Sequence, residues 1–269
     1  MSNRGTALVT GASSGIGAVY ADRLARRGYD LILVARRRER LDELARTLNR
    51  ETGREVTPLT ADLGNSVGLG QVEDVLRSDS RITALVNNAG FASVMPLLNE
   101  NADKMEEMIE LNVTALTRLT YAAIPGFVAR GSGTIINISS IAAVMPELLN
   151  GVYGGTKAYV LAFSQSLRHE LADKGVRVQV VLPGGTITEL WHNAGVPGMP
   201  SERQEIFMPV GDMVDAALAG LDQGEFVTVP ALPNLADWEK FEAARQALFP
   251  NLSHARPAAR YRIEPRSAA

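Results

Sequence analysis

The sequence contains no cysteine, which excludes disulfides, thiolate metal ligands and a cysteine nucleophile and suits a reducing compartment. Histidine is scarce too. The three present, His169, His192 and His254, have no metal-ligand spacing, so no metal is expected. No apolar run approaches the roughly 20 residues that cross a bilayer, and Met1 to Gly5 leads straight into a strand-like run without a signal-peptide core. Neither sign of charge is in excess: 27 cationic and 30 acidic side chains leave a net charge of −3, too little to gather nucleic acid or anionic membrane. These absences predict a cytoplasmic, soluble protein with no nucleic-acid or membrane partner, in which any phosphate binding is local.

What the chain does have is alternation. Short β-rich apolar runs (Thr6 to Thr10, Asp30 to Ala35, Glu55 to Thr60, Thr83 to Asn87, Thr134 to Ser139, Arg177 to Leu182, Phe226 to Val229) alternate with segments of helical period (Gly15 to Arg27, Glu39 to Arg50, Asp103 to Arg130, Val152 to Lys174). Gly28, Gly53, Gly131 and Gly175 stand where helix stops belong. Repeated βαβ units predict an α/β fold: a doubly wound, Rossmann-like, seven-stranded parallel sheet with helices on both faces, in a single domain. That domain is expected to span residues 1–230. After Pro230 the composition shifts toward Pro, Ala and Arg, and residues 231–269 read as a helix and an arm. Trp238, Phe241, Leu248 and Phe249 give this tail an apolar side that predicts docking.

The first strand enters the first helix through Thr10-Gly11-Ala12-Ser13-Ser14-Gly15-Ile16-Gly17. Glycine lets the main chain turn sharply and approach a ligand without a Cβ in the way, while free amides at a helix start bind anions. The Ser13 and Ser14 hydroxyls add donors. An ordinary turn with a serine cap is the alternative reading of these residues. The octapeptide resembles the short-chain dehydrogenase/reductase family, which implies a nicotinamide dinucleotide over Gly11, Ser13, Ser14, Gly15, Ile16 and Gly17.

The end of the second strand selects the cofactor in dinucleotide folds, through an acid for a ribose 2′-hydroxyl or an arginine for a 2′-phosphate. Here it reads Ala35-Arg36-Arg37-Arg38, with no acid at its tip. Cations at a helix start oppose its dipole, so a bound phosphate would relieve a repulsion. NADP(H) is therefore the expected cofactor, held by Arg36 first and Arg37 second. The resemblance adds Asp62 and Leu63 beside the adenine, and Asn87, Ala89 and Gly90 of Asn87-Asn88-Ala89-Gly90 beside the cofactor.

Tyr153 and Lys157 stand at i and i+4, on one face of a helix. A phenol near pKa 10 is a poor base, and a nearby cation stabilises the phenolate. Ser140 precedes Tyr153 by 13 residues, the family's serine-to-tyrosine interval. Together these residues predict proton transfer by Tyr153, with Ser140 donating to the substrate oxygen. The resemblance implies that Asn112 is a proton-relay residue near Lys157, and that Pro183, Gly184, Thr186 and Thr188 of a Pro-Gly-x3-Thr segment surround the nicotinamide, as Tyr153 and Lys157 also would. Residues 189–208, with Trp191, Met199 and Phe207, read as a lid over an apolar pocket. The expected activity is hydride transfer between nicotinamide and a ketone, aldehyde or secondary alcohol.

Two other readings are weighed beside it. A 3-oxoacyl carrier-protein reductase would place basic residues where His169 and Gly131 stand. A non-enzymatic NADP-binding sensor would not need Ser140, Tyr153 and Lys157 together. Apolar residues such as Ala158, Leu161, Ala162 and Phe163 exceed one buried stripe, and relatives pair through these helices, so a homodimer or homotetramer is expected.

Overall fold

The computed structural model describes residues 4–189, 194 and 205–263. Most of the expected lid (190–193 and 195–204, with Trp191, His192 and Met199) lies outside the described residues. The strands are β1 (Thr6–Thr10), β2 (Asp30–Ala35), β3 (Val56–Thr60), β4 (Ile82–Asn87), β5 (Gly133–Ile138), β6 (Val176–Val181), β7 (Gly185–Thr186), β8 (Phe207–Met208) and β9 (Val227–Thr228). Seven of them form one sheet in the order β3-β2-β1-β4-β5-β6-β9, with every pairing parallel. β7 and β8 pair separately. Strand order reverses between β1 and β4, which opens a crevice at the carboxyl ends of the strands, where ligands bind in open α/β sheets.

Each strand of the sheet's centre is apolar on both sides because both faces are covered. Ala7 and Val9 of β1, with Leu31, Leu33 and Val86, pack under α1 (Gly15–Arg26), α2 (Arg38–Thr52) and a later helix. Leu8, one residue out of phase, joins Val34, Leu85 and Ile135 under α3 (Ser66–Ser78) and further helices on the opposite face. Those further helices follow α4 (Ala102–Ile109) as α5 (Leu116–Arg130) and α6 (Gly151–Glu170). The later helix on the first face is α7 (Val210–Gln223), whose Met213, Val214 and Leu218 are buried. The sheet thus has the expected seven parallel strands with helices on both faces. β3 forms one edge, and its Pro58 stands in register with Leu33.

Three differences from the sequence reading have local causes. The expected helix from Asp103 to Arg130 is α4 and α5 joined by a π-helical turn, Glu110–Ala115, which widens the helix around Asn112. Its continuous apolar period hides that turn, and Pro125 does not end α5. Second, α3 and α7 were not foreseen, since Gly68 and Gly70 interrupt the first pattern and Gly211 and Gly220 the second. In α3, Gly68 is no helix breaker: a Cβ there would collide with the Asp62 carbonyl oxygen, so its small size lets the helix pack on that loop. Third, β9 keeps only Val227 and Thr228 of the expected Phe226 to Val229.

The chain divides into two compact units after Ala231. In the second, α8 (Leu235–Ala247) has no buried residue, and its Trp238 and Phe241 rings lie 5.2 Å apart. Among the described residues no helix is long and apolar enough to cross a membrane.

The two α3 glycines separate packing from helix propensity. Gly68→Ala is expected to destabilise the protein by about 1–3 kcal/mol through overpacking. Gly70→Ala, where nothing lies within 4 Å of an added Cβ, is expected to stabilise it by about 0.5–1 kcal/mol. Urea denaturation midpoints of both variants check this, and a stabilising Gly68→Ala contradicts the close approach.

Candidate active site

The turn from β1 into α1 meets the demands of an anion cradle. Gly11 (φ +66°) and Gly15 (φ +54°) occupy the left-handed region that side chains disfavour, and a Cβ on Gly17 would press into the Gly11 carbonyl and the Asn88 amide. Ser14 begins α1 without a side-chain capping bond, and no acid stands in the first turn. The helix's first amides and positive end are thus left for a ligand. Thr10 ties this turn to the end of β4: its hydroxyl donates to the Val86 carbonyl at 3.2 Å and accepts from the amides of Asn88 (2.9 Å) and Ala89 (3.0 Å). Asn88 closes the latch by donating from Nδ2 to the Thr10 carbonyl at 2.9 Å.

Arg37, expected as the second phosphate ligand, sits over this turn. Its Nη2 donates to Ser14 Oγ at 2.7 Å and to Ser13 Oγ at 3.1 Å, and its Nη1 to Glu189 at 3.1 Å. Arg36, expected as the first, is exposed and makes no side-chain bond among the described residues, leaving its donors for a ligand. Asp62 accepts from the Gly64 amide at 3.0 Å, the bond of a turn-forming aspartate, and Leu63 is buried. Asn87 turns its side chain into the core, where Nδ2 donates to Thr120 (3.0 Å) and Asn137 (2.9 Å). Any contact of Asn87 with a cofactor therefore falls to its main chain, while Asn88 and Gly90 line the cavity. Ala89 lies between them, half-buried. An uncapped helix start, glycines that no side chain could replace without strain or collision, and an exposed arginine without a partner among the described residues fit a nicotinamide dinucleotide.

At the other end of the crevice, Asn150 caps α6 by accepting from the Val152 amide at 2.9 Å, and its Nδ2 donates to the Met95 carbonyl at 2.9 Å. This cap fixes the first turn of α6 and so the position of Tyr153. Tyr153 and Lys157 are both almost fully buried, with Lys157 Nζ 5.7 Å from the centre of the phenol ring. Ser140, at the end of β5, lines the same cavity as the phenol, and its Oγ donates to the Pro183 carbonyl at 3.5 Å. Its Oγ also accepts from the Ala142 amide at 3.2 Å. Lys157 Nζ donates to the Ile138 carbonyl at 3.0 Å, and Ser139 Oγ to the Lys157 carbonyl at 2.7 Å, so β5 and α6 hold each other at two points.

Burial decides both titrations. It pushes the Tyr153 phenol above its ordinary value, with the neighbouring Ser140 hydroxyl pulling the other way. It also pulls the Lys157 ammonium down to about 8. The expectation that the cation lowers the phenol is thus corrected: desolvation of a buried phenol outweighs the other influences on it, and the group holds its proton at neutral pH.

Asn112 lies in the π-helical turn. Its Oδ1 accepts from the Phe91 amide at 3.0 Å, and its Nδ2 donates to the Phe91 carbonyl at 3.0 Å and to Thr156 Oγ at 3.2 Å. The amide group is thereby committed to joining the loop after β4 to α6. A Cβ on Gly90 would lie 2.8 Å from Asn112 Oδ1 and 3.8 Å from Lys157 Nζ, so this loop approaches both groups closely.

These groups open into a cavity of about 310 Å³. Pro183, Gly184, Thr186 and Thr188 line it as expected, together with Ile16, Ser140, Tyr153 and Lys157. Sequence reasoning missed Phe91, Leu148, Leu149 and Ile206, which form much of the apolar wall; single apolar residues in loops carry no periodic signal. It also missed Arg40 and Glu189, paired at 2.7 Å. Four arginines in five positions were a visible sign, but the counter-ion of Arg37 and Arg40 comes from a distant segment.

The family model described as short chain dehydrogenase matches residues 5–196. Two solved structures resemble the whole chain. One, a short-chain dehydrogenase from Sphingobium yanoikuyae in complex with NADPH, is 48% identical with a TM-score of 0.92, over 96% of this chain and 100% of that one. The other, a bulky-bulky ketone specific alcohol dehydrogenase from Comamonas testosteroni, is 42% identical with a TM-score of 0.88, over 97% and 99%. An uncharacterised oxidoreductase of Staphylococcus epidermidis is 32% identical over 227 residues, 83% of this chain and 93% of the relative. With the parallel sheet, the glycine turn and the Ser140–Tyr153–Lys157 cluster in place, these matches make the chain an oxidoreductase of the short-chain dehydrogenase family.

Proposed function

We propose that the protein is an NADPH-dependent carbonyl reductase, reversible as an alcohol dehydrogenase, that acts on ketones bearing large apolar substituents. The observation that carries this reading is the gathering of Ser140, Tyr153 and the buried Lys157 on one largely apolar cavity. NADPH supplies a hydride to the carbonyl carbon when bound. Tyr153, protonated because burial raises its phenol, gives its proton to the substrate oxygen, and Ser140 holds that oxygen by donating a hydrogen bond. Lys157 keeps a positive charge near the phenolate that remains. Asn112 acts through the loop it fixes, as a positioning residue. Phe91, Leu148, Leu149, Ile206 and Phe207 supply walls for bulky groups, and the Comamonas testosteroni enzyme is described as specific for such ketones. The arginines at the start of α2 favour NADP(H), consistent with the NADPH complex of the Sphingobium yanoikuyae relative.

Tyr153→Phe is expected to lower kcat by about 100-fold or more while NADPH affinity stays within a few fold, as shown by steady-state rates and fluorescence titration. Full activity of this variant refutes the mechanism. In NADPH-oxidation assays, aryl ketones with two bulky substituents are expected to exceed small dialkyl ketones in kcat/KM, and NADPH to exceed NADH. Faster reduction of small ketones, or equal use of both cofactors, overturns the corresponding part of the reading. On α5 and α6, the rings of Tyr121 and Tyr159 stack on Phe163 at 6.4 and 5.7 Å, and Tyr121 is exposed. This favours pairing of copies through these helices. Light scattering at micromolar concentration should give at least a dimer mass; a monomer refutes it.

A further inference from the structure

Arg36, Arg37, Arg38 and Arg40 bring four guanidinium groups to the start of α2, where the helix dipole disfavours cations. Their counter-ions differ in origin. Arg38 pairs within its own helix with Asp42, at 3.4 Å. Arg37 and Arg40 share Glu189, which lies 149 residues beyond Arg40 in the chain. Its carboxylate accepts from Arg40 Nη1 at 2.7 and 3.0 Å and from Arg37 Nη1 at 3.1 Å.

The segment that delivers Glu189 reaches this site across the glycine turn: a Cβ on Gly15 would lie 3.4 Å from the Thr188 methyl group. Arg37 is therefore divided between two partners. Nη2 and Nε face the Ser13 and Ser14 hydroxyls, and Nη1 faces Glu189. A carboxylate bound by two guanidinium groups makes the same kind of charge-assisted, directional hydrogen bonds as a phosphate monoester. Arg40, and then Arg37, holds the Glu189 carboxyl below the usual carboxylate range, so it stays ionised at neutral pH.

We propose that Glu189 is a built-in competitor of the cofactor's 2′-phosphate, which must take Arg37 and Arg40 from it. Glu189 thereby sets the margin by which the phosphorylated dinucleotide is preferred over the unphosphorylated one. The proposal rests on the NADP(H) reading above. An incoming phosphate meets a like charge already in possession of the two arginines, and it gains only the difference between its own bonds and those it replaces. A dinucleotide without the 2′-phosphate leaves the Glu189 bridge intact and is indifferent to it. Because the ion pairs are about half exposed, solvent screening limits the effect to a few fold.

The test is calorimetric titration of the full chain with adenosine 2′,5′-bisphosphate and with adenosine 5′-monophosphate, which separates binding from turnover. Glu189→Gln keeps the size and removes the charge. It is expected to bind the bisphosphate about three- to tenfold more tightly than the wild type does, with monophosphate affinity unchanged. Arg37→Ala should abolish that gain when combined with it. If the wild type prefers the bisphosphate but Glu189→Gln binds it no more tightly, Glu189 does not compete and the proposal fails alone. An equal gain for both nucleotides also overturns it, by revealing only a general change of field. If the wild type binds both nucleotides equally, the NADP(H) reading fails and takes the proposal with it.

Discussion

Lys157 carries its ammonium out of water to within hydrogen-bond reach of the Ile138 main-chain oxygen, and much of the site is arranged around keeping it there. Removing an ammonium from water is costly unless polar atoms replace the hydration. The carboxyl end of a parallel strand offers such an atom at a fixed place. Around that bond, Ser139 holds the main chain of α6, Asn150 caps the helix and Asn112 joins it to the loop after β4. Each bond is modest on its own, about 0.5–1.5 kcal/mol net. Together they fix a cation and a phenol on one face of a helix before any substrate arrives, which is the preorganisation that electrostatic catalysis requires.

The two ends of the crevice use charge in opposite ways. At the Tyr153 end the ionisable groups are few, buried and shifted by desolvation. At the arginine end they are many, exposed and paired. Added salt screens exposed charges over a Debye length of about 8 Å at physiological ionic strength but reaches buried groups far less. The ion pairs at the arginine end are therefore open to the medium, while the buried groups at the Tyr153 end are largely insulated from it.

The sheet and the buried cluster were legible in the sequence because their signals are local. β1 is apolar over five residues, the glycine turn is contiguous, and Tyr153 and Lys157 stand one helical turn apart. What stayed hidden depends on contacts between distant segments. Gly68 looks like a helix breaker until Asp62 is brought against it, and the π-helical turn at Asn112 leaves the apolar period of its neighbours intact. Glu189 gives no sign of its partners, because nothing in its own neighbourhood encodes α2. Asn87 shows the reverse: its motif is contiguous in the sequence, yet its side chain is spent on Thr120 and Asn137 inside the core.

Pro58 in β3 has an effect at the rim of the molecule. A strand at the edge of a sheet exposes a row of unpaired amide and carbonyl groups, on which another chain can build. Proline has no amide hydrogen and cannot take part in such a ladder. β3 is one edge of the seven-stranded sheet, and the opposite edge, β9, is only two residues long. Both borders are thus poor templates for strand addition, which protects a sheet this rich in β-branched and aliphatic residues from edge-to-edge aggregation.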